Sequence, residues 1–223
     1  MSELSAHVIR DLVAKPNPTI LEIGCNDGTD TWTFLEAMPD AKITCFECDP
    51  RASARFYSNG PKDKVDFVQA AVCDVDGLVQ FHASSGQPPV HRRNINHYTK
   101  LPEWDLSGSL YEPTGHLQYS PWVTFPPEKI CMVSAIRLDT WKRSRQDIEL
   151  VDFIWADVQG AEASLILGES ETLKATRYFY TEYYDRPMYA GQVSLQVIHN
   201  LLPDFDLVKK YGDNILLKNR SIV

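Results

Sequence analysis

The chain has no apolar run approaching the ~20 residues that a membrane-spanning helix needs, although 43% of its 223 residues are hydrophobic. Its opening residues, Met1-Ser2-Glu3-Leu4-Ser5, have neither the basic region nor the apolar core of a secretory signal. A cytoplasmic protein with no membrane insertion is therefore expected. Basic residues are in deficit: 22 Lys and Arg stand against 30 Asp and Glu, for a net charge of −8. This balance argues against a nucleic-acid partner, whose phosphates are held by Lys and Arg, and leaves a small phosphorylated molecule open. Five cysteines are odd in number and not spaced as a disulfide framework. Cys45-x-x-Cys48 has no second pair to complete a zinc site, and within a strand its side chains face opposite ways. Internal repeats, low-complexity tracts and linkers are also missing, so one domain spanning 1–223 is expected, with a single substantial core.

The dinucleotide fingerprint G-x-G-x-x-G is absent as well. Its place is taken by Thr19-Ile20-Leu21-Glu22-Ile23-Gly24-Cys25-Asn26-Asp27-Gly28-Thr29-Asp30. An apolar strand enters a glycine turn of spacing Gly24-x-x-x-Gly28, and a helix follows. A dinucleotide loop must bring backbone N–H groups and a helix N-terminus to a pyrophosphate. Here the carboxylates of Glu22 and Asp27 flank the turn, which repels phosphate and suits a cationic sulfonium and an amino group. The expected ligand is S-adenosyl-L-methionine (SAM), with Glu22, Gly24, Asn26, Asp27 and Gly28 as its first contacts.

Strand and helix signals alternate along the chain, which predicts an α/β fold, a mostly parallel sheet with helices on both faces. Strands are expected at 19–23, 42–47, 65–72, 77–82, 130–138, 151–156, 178–182, 205–210 and 214–218. Helices are expected at 4–14, 31–37, from 50, 139–145, 161–173 and 193–202. The last two strands, joined by Tyr211-Gly212-Asp213, read as an antiparallel hairpin at one end of the sheet. Between about 83 and 129 the periodicity fails, and the stretch reads as a long loop insertion of functional type.

Ligands of open α/β sheets bind beyond the carboxyl ends of the strands, so the strand ends supply the candidates. Glu47 lies 23 residues after Gly24, near the ~20-residue offset of an acid that bonds ribose hydroxyls; Asp49 beside it suits a helix N-cap. Ala71, with Val72 and Asp74, falls where adenine would lie. Asp157 leaves an apolar strand into Val158-Gln159-Gly160-Ala161-Glu162. It reads either as a carboxylate facing the methyl-donor pocket or as a helix cap, and Glu162 as a site residue or a first-turn acid.

The pairing of Leu21-Glu22-Ile23-Gly24-x-x-x-Gly28 with Asp157-Val158-Gln159-Gly160-Ala161-Glu162, preceded by Ile136-Arg137-Leu138-Asp139, resembles the FkbM family of SAM-dependent methyltransferases over roughly 18–218. The resemblance implies a seven-stranded Rossmann-like sheet with an antiparallel C-terminal strand. It also implies O-methylation, often of sugar or polyketide hydroxyls. Gln159 departs from it, standing where the family pattern usually carries Glu.

An alcohol attacks a methyl group well only as its proton leaves, so a carboxylate or imidazole in reach is needed. Asp157 is the first candidate for this base, Glu182 at the next strand end the second and His116 an alternative. The loop segment His91-Arg92-Arg93-Asn94-Ile95-Asn96-His97-Tyr98 reads as an acceptor lid. Mg²⁺ against an acceptor hydroxyl is compatible with such carboxylates, but no spacing demands it and no residue is assigned to a metal. The expected function is transfer of methyl from SAM to a hydroxyl of a small molecule, a sugar or glycan precursor. An NAD-dependent oxidoreductase and a non-catalytic SAM-binding sensor stand as alternatives. A nucleic-acid methyltransferase fits less well, since Asp157-Val158-Gln159-Gly160 replaces the Pro-Pro-aromatic segment that base methylation uses. The loop aromatics leave a homodimer face and a substrate cleft both open.

Overall fold

A computed structural model describes residues 4–87, 89 and 103–222. Helix α1 (Ala6–Val13) starts at Ser5, whose hydroxyl accepts from the Val8 N–H at 3.4 Å. Strand β1 (Thr19–Ile23), helix α2 (Thr29–Ala37) and strand β2 (Lys42–Phe46) follow. Asp49 caps helix α3 (Pro50–Asn59), with Pro50 in the first turn where a missing N–H is harmless. Strands β3 (Asp66–Val68), β4 (Ala71–Val72), β5 (Gly77–His82) and β6 (Ser85–Gly86) come next. After a one-turn helix α4 (His116–Tyr119) come β7 (Val123–Thr124), β8 (Ile130–Ile136) and α5 (Leu138–Arg143). The chain ends through β9 (Val151–Ala156), α6 (Glu162–Gly168), α7 (Ser170–Lys174), β10 (Thr176–Glu182), α8 (Leu195–Leu201), β11 (Phe205–Tyr211) and β12 (Asn214–Asn219).

The main sheet has seven strands in the order β11-β12-β10-β9-β1-β2-β3. Its strands run parallel except β12, which is antiparallel to both neighbours. The apolar runs predicted for β1 and β9 become the centre, buried on both faces as a parallel strand between helical layers must be. Alternate residues divide between two cores. Leu21, Ile23, Ile154 and Phe179 pack with Leu165 and Ile198 on one face, and Ile20, Phe153, Tyr178 and Tyr180 with Ile9 and Phe34 on the other. Strand order switches direction between β1 and β9, which places the crevice of a doubly wound sheet at their carboxyl ends.

Two expected elements are divided. The strand expected at 65–72 splits into β3 in the main sheet and β4 beside β8 in a three-stranded side sheet. A tight turn, Ala70 N–H to Val68 O at 3.0 Å, makes the break, and apolar patterning carries no sign of it. The helix expected at 161–173 breaks at Glu169. Gly168 there lies so close to the Cys73 carbonyl that a Cβ would meet it at 2.0 Å, while Asp139 accepts the Glu171 and Thr172 N–H groups and starts α7 afresh. In the expected insertion at 83–129, the described residues carry β6, α4 and β7; the 91–98 segment lies outside them. Among the described residues no helix is long and apolar enough to cross a membrane.

Candidate active site

The crevice at the switch point is a cavity of about 390 Å³ reached by the ends of β1, β2, β4, β9 and β10. Gly24 opens it. At φ +84° it takes a left-handed conformation, and a Cβ would fall 2.1 Å from the Asp157 carbonyl oxygen, so only glycine lets the β1 and β9 exits approach this closely. The Gly24 and Cys25 N–H groups both donate to the Phe46 carbonyl, and Asp157 N–H donates to Ile23 O. Three strand ends are thereby locked together.

Glu47 is held on the wall by two backbone donors. Its Oε2 accepts the Asn26 N–H at 2.9 Å and its Oε1 the Asp49 N–H at 2.6 Å. Burial nevertheless pushes it up to about 7, because desolvation outweighs those bonds. Asn26 and Asp27 line the cavity too, with side chains engaged locally. Asn26 Oδ1 accepts from Asp27 N–H and Arg55, and Asp27 Oδ1 accepts from the Thr29 N–H and hydroxyl. Asp49 reaches the wall, but its carboxylate is taken by Arg51 at 2.6 Å. Ala71, with Ala70, Val72 and Phe81, forms the apolar side.

Three expected contacts are corrected. Glu22 does not line the cavity: strand alternation turns it into the opposite core, where it accepts from the Thr31 hydroxyl at 2.6 Å and burial raises its pKa well above the ordinary value. Gly28 is also off the wall; at φ +83° it precedes α2, and a Cβ there would strike the Phe56 ring at 2.8 Å. His116 stands behind the site, buried against the rings of Phe125 and Tyr189 with burial lowering its pKa. Neither Glu22 nor His116 offers its side chain to this cavity, and Gly28 does not line it. Asp74 and Glu162 are likewise absent from the wall: Asp74 accepts from Ser164 at 2.5 Å, and Glu162 accepts the Gly160 N–H at 3.1 Å.

Asp157 and Glu182 do meet on the rim. Burial, then the charge of Asp157, raises Glu182 well above the usual carboxylate range. Periodicity gave no hint of the segment from Trp104 to Leu110 that lines the cavity opposite. Two arginines of α3 fasten it: Arg51 pairs with Glu103 at 2.7 Å and Arg55 with Asp105 at 2.5 Å, while Lys129 holds Glu103 from the other side. Trp155 and Tyr180, with ring centroids 4.4 Å apart, and Asn214 complete the wall. Among the described residues that line it there is no Lys, Arg or His, and among the described residues no group of three His, Cys, Asp or Glu is arranged to hold a metal.

A parallel sheet of this order with one antiparallel strand, and an acid-walled crevice at its switch point, defines the Rossmann-like methyltransferase class. Residues 22–214 match the Methyltransferase FkbM domain, and the chain belongs to that family. It is 43% identical over 228 residues to the 2-O-methyltransferase NoeI of Sinorhizobium fredii, covering 99% of this chain and 88% of the relative. In backbone it is similar to a putative O-methyltransferase from Klebsiella pneumoniae (TM-score 0.49, 12% identity, 96% of this chain and 79% of that one). It is also similar to an O-methyltransferase family protein from Burkholderia thailandensis (TM-score 0.49, 9% identity, 97% and 55%).

Proposed function

We propose that this methyltransferase takes its methyl group from SAM and transfers it to a hydroxyl of a small molecule, a sugar or glycan precursor, in the cytoplasm. The observation that carries the reading is the cavity wall, where carboxylates, apolar side chains and a glycine cradle meet without a basic side chain among the described lining residues. Such a wall suits a sulfonium and disfavours a pyrophosphate, and the NoeI likeness supports a hydroxyl acceptor.

The residues fit the donor part by part. Glu47, held by two backbone N–H groups, would accept from ribose hydroxyls. Ala71, Val72 and Phe81 would flank the adenine. Asn26 and Asp27 would face the amino-acid end. SAM, when bound, supplies an electrophilic methyl carbon. Asp157, or Glu182 beside it, would take the proton of the acceptor hydroxyl as that oxygen attacks in line, and the walls would hold the two reactants in register, which can supply several kcal/mol of barrier reduction.

Titration calorimetry with S-adenosylhomocysteine (SAH), run against NAD⁺, tests the reading. Saturable SAH binding without NAD⁺ binding is expected, followed by labelled methyl transfer to a panel of mono- and oligosaccharides. A folded sample that binds NAD⁺ and not SAH would overturn it; SAH binding without transfer to any hydroxyl would favour a sensor.

A further inference from the structure

The side chain lying between the two candidate bases is Gln159. Its backbone is left-handed at φ +50°, followed by Gly160 at +94°, a conformation that a non-glycine residue keeps only where its surroundings enforce it. Tyr189 closes on this turn so tightly that a Cβ on Gly160 would meet its ring at 2.7 Å. The Gln159 carbonyl accepts from the Ser109 hydroxyl at 2.7 Å. Its side chain is thereby thrown back across the rim between β9 and β10.

There the amide nitrogen is fully engaged. Nε2 donates to Asp157 Oδ1 at 2.6 Å and to Glu182 Oε2 at 3.2 Å. Oε1 lies 3.1 Å from the Tyr189 hydroxyl, which also lies 2.9 Å from the Ser107 carbonyl. A reversed amide would set its oxygen against two carboxylates, so these partners fix the orientation. Two N–H hydrogens meet two carboxylates, and the group between them is neutral.

We propose that Gln159 is a positioning residue, whose amide clamps Asp157 and Glu182 into one hydrogen-bonded pair facing the acceptor, with Tyr189 fixing the clamp from behind. The inference rests on the proposed methyl transfer to a hydroxyl. In that step the acceptor oxygen forms its bond to the methyl carbon as the S–C bond of a sulfonium donor breaks, and the hydroxyl proton passes to the carboxylate pair. Two adjacent carboxylates repel each other; a neutral donor shared by both relieves that repulsion and leaves one proton site on the pair. Glu182 also feels the charges of Glu162 and Asp213 and bonds the Tyr184 hydroxyl, Tyr189 feels its charge in turn, and Arg186 stands one step away, 3.6 Å from Asp213.

Carboxyl-carbon NMR titration of ¹³C-labelled protein from about pH 4 to about pH 9 reads the clamp directly, with Asp157→Asn and Glu182→Gln assigning the signals. In Gln159→Met, which removes both N–H donors, the Glu182 midpoint is expected to rise by about one pH unit or more. In Gln159→Glu it rises further, because a third carboxylate joins the pair. Tyr189→Phe gives a smaller rise, by loosening the amide. A Glu182 midpoint unmoved in whichever Gln159 variant keeps the wild-type amide spectrum overturns the proposal. SAH calorimetry on the wild-type protein separates the two ideas: absent binding removes the methyl-transfer reading, while the titration still decides whether Gln159 clamps the pair.

Discussion

Glu47→Ala removes a carboxylate that holds two backbone N–H groups and is proposed to bind the donor's ribose, and the two effects are measured apart. On the protein side, the Asn26 and Asp49 N–H groups lose their acceptors. An unpaired buried donor costs about 1–3 kcal/mol, but both face a cavity that admits water, so the total is about 2 kcal/mol. At roughly 2–4 °C per kcal/mol for a chain of this size, Tm falls by roughly 4–8 °C. On the ligand side, a hydrogen bond to a charged group contributes about 1.5–3 kcal/mol, which predicts SAH affinity roughly ten- to a hundredfold lower. Calorimetry with SAH and thermal unfolding without ligand measure the two effects apart. Thr31→Val supplies the comparison: it strips the hydroxyl from buried Glu22, and should lower Tm while leaving SAH affinity alone. Full SAH affinity in Glu47→Ala would remove Glu47 from the donor site. A weakened Thr31→Val would show that affinity tracks general stability instead, and the argument from Glu47 would collapse.

Asp157→Ala should reduce methyl transfer to saccharide acceptors at least about a hundredfold, the usual scale for a lost general base; transfer at the wild-type rate would exclude Asp157 as the base. The ligand-free protein should be more stable near pH 5.5 than near pH 8, by on the order of 3 kcal/mol. Glu47 and Glu162 stand at about 7 when folded against an ordinary 4.5, so the stability they contribute is complete below the unfolded value and is lost as pH rises through about 7. Denaturant melts at the two pH values check the sign, and equal stability refutes it. Arg55→Met should destabilise the fold by about 3–5 kcal/mol, because Asp105 is left buried without its cation. Arg55→Met with Asp105→Asn should recover part of that loss, and a single variant that melts with the wild type would show that the pair does not fasten the segment.

Much of the fold was legible because burial on both faces writes itself as continuous apolar runs. Thr19–Ile23 and Val151–Ala156 are such runs with the expected bounds, and Asp49-Pro50 marks a helix start by chemistry local to two residues. The strand ends named the cavity for the same reason, since the parallel order leaves Gly24, Glu47, Ala71 and Asp157 at one edge. The misplacement of Glu22 came from side-chain direction. Glu22 is one residue from Ile23, and that single step turns it to the opposite face, toward Thr31. The Trp104–Leu110 wall was illegible for a different reason. It has no period of its own and is held by ion pairs with Arg51 and Arg55, some 50 residues away in sequence, and nothing in the pattern of a loop reveals its partners.

The distribution of acids along the crevice has a chemical consequence for the proposed reaction. Asp49 and Asp105 are matched to Arg51 and Arg55, and those pairs hold the walls together. Glu47 is matched to backbone N–H groups. Asp157 and Glu182 are bridged instead by a neutral amide, so no side-chain cation offsets them through that bridge. Positive charge that moves from a sulfonium toward an attacking hydroxyl oxygen would move toward this pair. An interaction that strengthens as charge migrates lowers the barrier, whereas one felt equally by the bound ground state does not. The neutral side chain at 159 is what keeps the pair's charge available for that purpose. Gln159→Lys would neutralise the rim and is expected to keep the fold and lower kcat, whereas a loss confined to the donor's KM would show that the pair serves only to attract the donor's charge from solution.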